Sequence, residues 1–164
     1  MKRVSILIIL LSFASSSLSQ LIDDESPYDV SIVQLFNVGN EKIDTSYLVR
    51  ASSRCFSFNL VLAESKLRDN PNVDISELEE SQKFFVLVGI ALIREELKKG
   101  GGDNVELAGS RFNRESDMHI GVYTEWLHNS FISQGAYVEM SESATREQLH
   151  CDALLVRLRE ITGS

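Results

Sequence analysis

Apolar residues recur every three or four positions through most of this chain, in long segments set between short polar breaks. That spacing gathers them on one side of an α-helix, whose turn is 3.6 residues. On the first such segment, about Thr45 to Arg68, Tyr47, Ala51, Cys55, Phe58 and Leu62 share a face. Asp44 stands where a carboxylate can accept from the open amides of the first turn. Asp69-Asn70-Pro71-Asn72 ends the run.

The second segment runs from about Glu77 to Lys99. Ser76 and Glu79 have the spacing of a capping box, and Lys98 and Lys99 suit the negative end of the helix dipole. Gly100-Gly101-Gly102 supplies a stop. Phe84 to Ile93 carries no charged or polar side chain. Between strong helix formers on both flanks, it predicts a helix whose middle is buried nearly all round. Gly89 interrupts that run at a cost of ~1 kcal/mol relative to alanine. A neighbouring helix passing close over it is the expected compensation.

A polar, glycine-rich loop is predicted from Gly100 to Phe112, pinned by Leu107. The third helix is predicted from about Arg114 to Ser133, with Ile120, Tyr123, Leu127 and Phe131 inward and Gly135 at its end. The fourth covers about Ala144 to Thr162, with Cys151, Leu154, Leu155 and Leu158 inward. Ser143, or Thr145 with Gln148, would cap it. Short connections make successive helices antiparallel. The economical architecture is therefore all-α: an up-down four-helix bundle over residues 44–164, with a short N-terminal arm at residues 20–43. Gln20 to Asp29 is acidic and expected to be loose. Val30 to Phe36 is β-branched but has no partner strand, so it is expected as a short helix or arm across the bundle.

The first nineteen residues read differently. Lys2 and Arg3 precede an apolar stretch from Val4 to Ala14, and Ser17-Leu18-Ser19 offers small residues for cleavage. This is the pattern of an export signal, and it is too short to span ~30 Å of hydrocarbon as a helix. Residues 1–19 are expected to be removed, leaving an exported protein, periplasmic or secreted. No Asn-x-Ser/Thr sequon occurs, which favours a bacterial periplasm.

Losing Lys2 and Arg3 would leave 14 basic against 24 acidic residues, a formal charge of −10. Such a surface repels nucleic-acid phosphates and anionic lipid heads. A cationic protein or a small ligand is the partner it suggests. Cys55 and Cys151 both fall on apolar stripes, and in an oxidising compartment they are expected to form a disulfide. That bond would tie the first long helix to the last.

Candidate chemistry is sparse. Glu125-Trp126-Leu127-His128 and Glu147-Gln148-Leu149-His150 are two Glu-x-x-His pairs. In a four-helix bundle they resemble the ferritin-like di-iron carboxylate proteins, which would imply a metal-dependent oxidoreductase with Glu64 and Glu95 or Glu96 as further ligands. Against this, Glu125 lies about 200° from the inward Leu127. Both pairs also fall on consecutive helices, and no carboxylate breaks the apolar run of the second helix. There is no Gly-x-Ser-x-Gly elbow, no phosphate loop and no Cys-x-x-Cys-His. No cofactor is implied. His119, His128 and His150 read as scattered surface or boundary residues. Trp126, Tyr123 and Tyr137, rimmed by Arg111 and Arg114, have the composition of a contact patch, although aromatics at helical spacing are usually core. The reading is a non-catalytic binding or envelope-accessory protein. A di-iron-type oxidoreductase and a secreted helical signalling protein are the alternatives.

Overall fold

The computed structural model describes residue 28, residues 31–35 and 37, residues 45–134 and residues 142–163, without side chains at 130–134. The signal, the Asp44 cap, the Gly135 stop and Tyr137 lie outside these residues. Four long helices follow one another: α1 (Thr45–Asp69), α2 (Ser76–Lys99), α3 (Val105–Gln134) and α4 (Glu142–Thr162). Residues 32–35 form one more helical turn, and no strand occurs among the described residues. No described helix is long and apolar enough to cross a membrane. The protein is an all-α four-helix bundle with an N-terminal arm and one inter-helix disulfide.

α1 is the centre of the bundle. It packs against all three other long helices, whereas the backbones of α3 and α4 scarcely approach each other. Its composition allows this. Ala51, Ser52, Ser53, Ser57, Ala63 and Ser65 are small and buried, so neighbouring helices come close on several sides. Three of the hydroxyls find partners on α1 itself or across the seam: Ser53 donates to the carbonyl of Arg50 (3.0 Å), Ser57 reaches the carbonyls of Ser53 (2.8 Å) and Ser116 (2.9 Å), and Ser65 that of Val61 (2.8 Å). The α1–α2 pair is antiparallel. The Thr45 hydroxyl donates to Glu96 Oε1 (2.7 Å) at one end, and Gln82 Nε2 donates to the Asn59 carbonyl (3.2 Å) further along.

Gly89 does what its position requires. A Cβ there would stand 2.1 Å from Cε2 of Phe112, a fully buried ring of α3. Phe56 of α1 meets the same ring at 5.8 Å between centroids. Phe112, Ile93, Val49 and Ala108 form an apolar cluster at this end of the interior.

Several boundaries differ from expectation. α3 begins at Val105, so the loop is only residues 100–104. Asn104 caps it: its Oδ1 accepts from the Leu107 amide (2.9 Å) and its carbonyl from Ala108 (3.1 Å). Leu107 pins nothing down, being more than half exposed. α2 starts at Ser76 without a side-chain cap on its N-cap residue, Ile75. Asp74 accepts the Ser76 amide instead (2.9 Å), in place of the expected capping box. α4 starts at Glu142, which puts Ser143 and Thr145 inside the helix. The middle of α2 is not buried all round either, because Leu87 is 68% exposed and Ala91 faces solvent with it.

The arm is helical at residues 32–35 because Ser31 and Gln34 form the capping box that its β-branched residues obscure. Gln34 Oε1 accepts from the Ser31 amide (2.9 Å), and Ser31 Oγ from the Gln34 amide (3.2 Å). The arm lies where α3 and α4 leave a gap. Ile32 and Leu35 are buried in the main core.

Candidate functional site

Cys55 and Cys151 are bonded, with Cα atoms 5.3 Å apart. This joins α1 to the middle of α4. One residue before Cys55 and one turn before Cys151 stand opposite charges. The Arg54 Nη2 donates to Glu147 Oε1 at 2.8 Å, with both side chains at most 5% exposed. The Tyr123 hydroxyl of α3 donates to the same Glu147 oxygen, and Arg54 Nε lies 3.4 Å from the Tyr123 oxygen. Three helices thus meet at one buried polar knot beside the disulfide.

The arm closes the knot. Arg54 lies over the Tyr28 ring, 3.9 Å from its centroid, and that ring meets Tyr123 and His119 edge-on at 5.5 and 5.3 Å. The Tyr28 oxygen is 2.6 Å from His119 Nδ1. Burial, reinforced by the Glu147 charge and opposed by Arg54, pushes the Tyr28 phenol up to about 12. Burial, with the charges of Arg54 and Arg50, lowers His119 to about 4. A protonated phenol therefore donates to a neutral imidazole. That leaves the ring proton on Nε2, which has no partner among the described residues. The Tyr123 hydroxyl is held well above the usual phenol range by burial first and by Glu147 second. For Arg54, burial opposes the charge, but Tyr123 and Glu147 together outweigh it and raise its pKa.

The sequence candidates are scattered by this arrangement. Glu125 and His128 are exposed on α3 and Glu64 is exposed on α1. Glu147 is engaged by Arg54 and Tyr123, and His150 is half-buried at the arm. Among the described residues no three His, Cys, Asp or Glu side chains stand together as a metal site. The aromatic patch does not form on the surface. Tyr123 is fully buried, Trp126 packs on the core, Arg111 pairs with Glu96 (2.7 Å) and Arg114 points to solvent. His119, read as a surface or boundary residue, is 2% exposed.

The knot itself was missed, yet a signal existed. Arg54 falls between Ala51 and Phe58 on the apolar stripe, and Glu147 is four residues before Cys151. Once the cysteines are paired, those two charges must lie on the same seam.

Comparison with protein-family models, with curated proteins and with solved structures returns no match in any of the three. The chemistry of the knot therefore stands alone. Arg54, His119, Tyr123 and Glu147 bond to one another or to Tyr28. None borders the grooves beside α2 and α4. The arrangement holds three helices and the arm in register.

Proposed function

We propose that this chain is an exported helical bundle that acts by binding rather than by catalysis, as an envelope-accessory or secreted binding protein. The observation that carries the reading is where the polar and apolar groups lie. Arg54, Tyr123 and Glu147 at the interior knot bond to one another, while Leu87, Leu149, Val156 and Ile161 stand more than half exposed on α2 and α4. A general acid, base or nucleophile must reach its substrate, whereas a binding surface needs apolar side chains outside. The signal-like first nineteen residues and the disulfide support export. The formal charge of −10 after signal removal supports a cationic protein as partner.

Crosslinking in the native host, followed by mass measurement, tests both halves. The expected result is a chain beginning at Gln20, two hydrogens lighter than its reduced form, joined to a basic partner that recombines with the purified chain and is released by about 0.5 M salt. Recovery of the uncut chain with two free thiols in the cytosol would overturn export. A partner retained unchanged at that salt would overturn the electrostatic basis.

A further inference from the structure

We propose that the exposed side of α2 pairs two copies of this chain, antiparallel, about a two-fold axis level with Gly89. This goes beyond the binding reading above and does not rest on it. The starting point is the uncovered part of the apolar run. Leu87 is 68% exposed, Ala91 is exposed and Phe84 is partly so. Beside them a groove of about 460 Å³ runs between α2 and the end of α4.

The spacing along this side is that of a helix–helix seam. Glu80, Phe84, Leu87, Ala91, Arg94 and Lys98 follow one another at intervals of four, three, four, three and four. That is the alternation that keeps one stripe facing a partner helix. The order also reads sensibly against its own reverse. With the axis level with Gly89, Leu87 of one copy layers against Ala91 of the other. Phe84 layers against Arg94, and Glu80 against Lys98. A large side chain meets a small one at the centre, the Arg94 guanidinium next reaches the Phe84 ring, over which Arg159 of the same chain already lies at 5.4 Å, and opposite charges close both ends. A parallel pairing would instead set Glu80 on Glu80 and Lys98 on Lys98.

Charge does not oppose pairing on this face. The whole chain carries a formal −8, which disfavours association of two copies in general. The seam itself carries one acid and two bases, so it adds little repulsion of its own. Its charged ends already have partners within the chain: Glu80 with Arg159 (2.7 Å), Lys98 with Glu95 (2.6 Å) and Arg94 with Asp103 (2.8 Å). These pairs are solvent-exposed, and such pairs are worth little, so sharing them with a second copy costs little. The seam is ~27 Å long, which suits a small interface and a dissociation constant in the micromolar range.

Sedimentation equilibrium of the full chain across about 5 to 500 μM reads this directly. The expected result is a monomer–dimer equilibrium. Leu87→Glu should weaken it at least about tenfold, and its circular dichroism should stay unchanged because the side chain is exposed. Ala91→Lys serves as a second reading should Leu87→Glu disturb the fold. Glu80→Lys and Lys98→Glu should each weaken the dimer, and the double variant should return it to within about threefold of the original. A wild-type chain that stays monomeric throughout, a dimer indifferent to Leu87→Glu, or a double variant that fails to recover would overturn the proposal.

Discussion

The two flanks of α1 are held by opposite means. Towards α2 and α3 it is joined by continuous packing: small residues, the Phe56–Phe112 ring contact beside Gly89, and an apolar end. Towards α4 and the arm it is joined by a few strong points: one disulfide, one buried ion pair and one tyrosine over a guanidinium. The helices say why. α4 buries only Ala144, Cys151, Leu154 and Leu158 among its large or small apolar residues, and it leaves Leu149, Val156 and Ile161 outside. At roughly 25 cal/mol per Å² of apolar area, that stripe alone fixes a helix weakly. Point connections supply what area does not. They make the α4 side selective, since they fit one register, and brittle, since each loss is large.

Brittleness is tested most severely at the disulfide. Reduction should cost up to ~4.7 kcal/mol by the loop-entropy estimate for a loop near 100 residues. Urea unfolding with and without reductant measures it. The loss should come with early exposure of Trp126, which packs on the main core and meets the ring of Tyr123, a partner of Glu147 on α4. A reduced chain as stable as the oxidised one would show that the α4 flank is packed like the other.

The buried ion pair comes next. Glu147→Ala leaves Arg54 charged in the interior and should cost about 4 kcal/mol. Replacing the knot by apolar groups of similar size, Arg54→Met with Glu147→Leu and Tyr123→Phe, should recover most of that. A triple variant as unstable as the single one would mean that the polar contacts contribute more than register. Thermal and urea midpoints decide between the two.

The packed flank answers to volume instead. Gly89→Ala drives a Cβ into the buried Phe112 ring and should cost roughly 2–3 kcal/mol despite the better helix propensity of alanine. Combined with Phe112→Leu, the total should fall well short of the sum of the single effects. Additive losses would show that the Gly89 contact is not what limits the approach of α2 and α3.

This asymmetry also explains what the sequence made legible. Periodic apolar stripes announce helices, so all four long elements, the Gly89 approach and the Cys55–Cys151 bond were readable from residue spacing. The α3 start was not, because Asn104 caps a first turn made of exposed Val105 and Leu107, which look like loop. Nor was the open side of α2, because a wholly apolar run carries no mark of which side a neighbour will cover. The knot escaped because buried charge has no periodic signature. Arg54 and Glu147 each look like surface residues until the helix across the seam is known.

The mildest test separates the arm from the rest of the α4 flank. His119 is held near 4, below the 6.5 of an exposed imidazole. As pH falls, the unfolded chain takes up this proton before the folded one does. Stability carried by the neutral ring is therefore complete above pH 6.5 and is lost progressively as pH falls toward 4. Between pH 7 and pH 5 the loss should be about 1–2 kcal/mol. Other groups titrate in the same range, so the informative quantity is the difference in slope between the chain and His119→Gln, measured by urea midpoints at both pH values. The variant should lose the steeper part of the dependence. Protonation also places a second cation beside Arg54 and removes the acceptor for the Tyr28 hydroxyl. Exchange of amides in residues 31–35 should consequently accelerate at pH 5 before that of α1 does. Identical slopes in the two chains, or an arm as protected at pH 5 as at pH 7, would show that the arm is held by Ile32 and Leu35 alone and that the α4 flank is less dependent on point contacts than its geometry suggests.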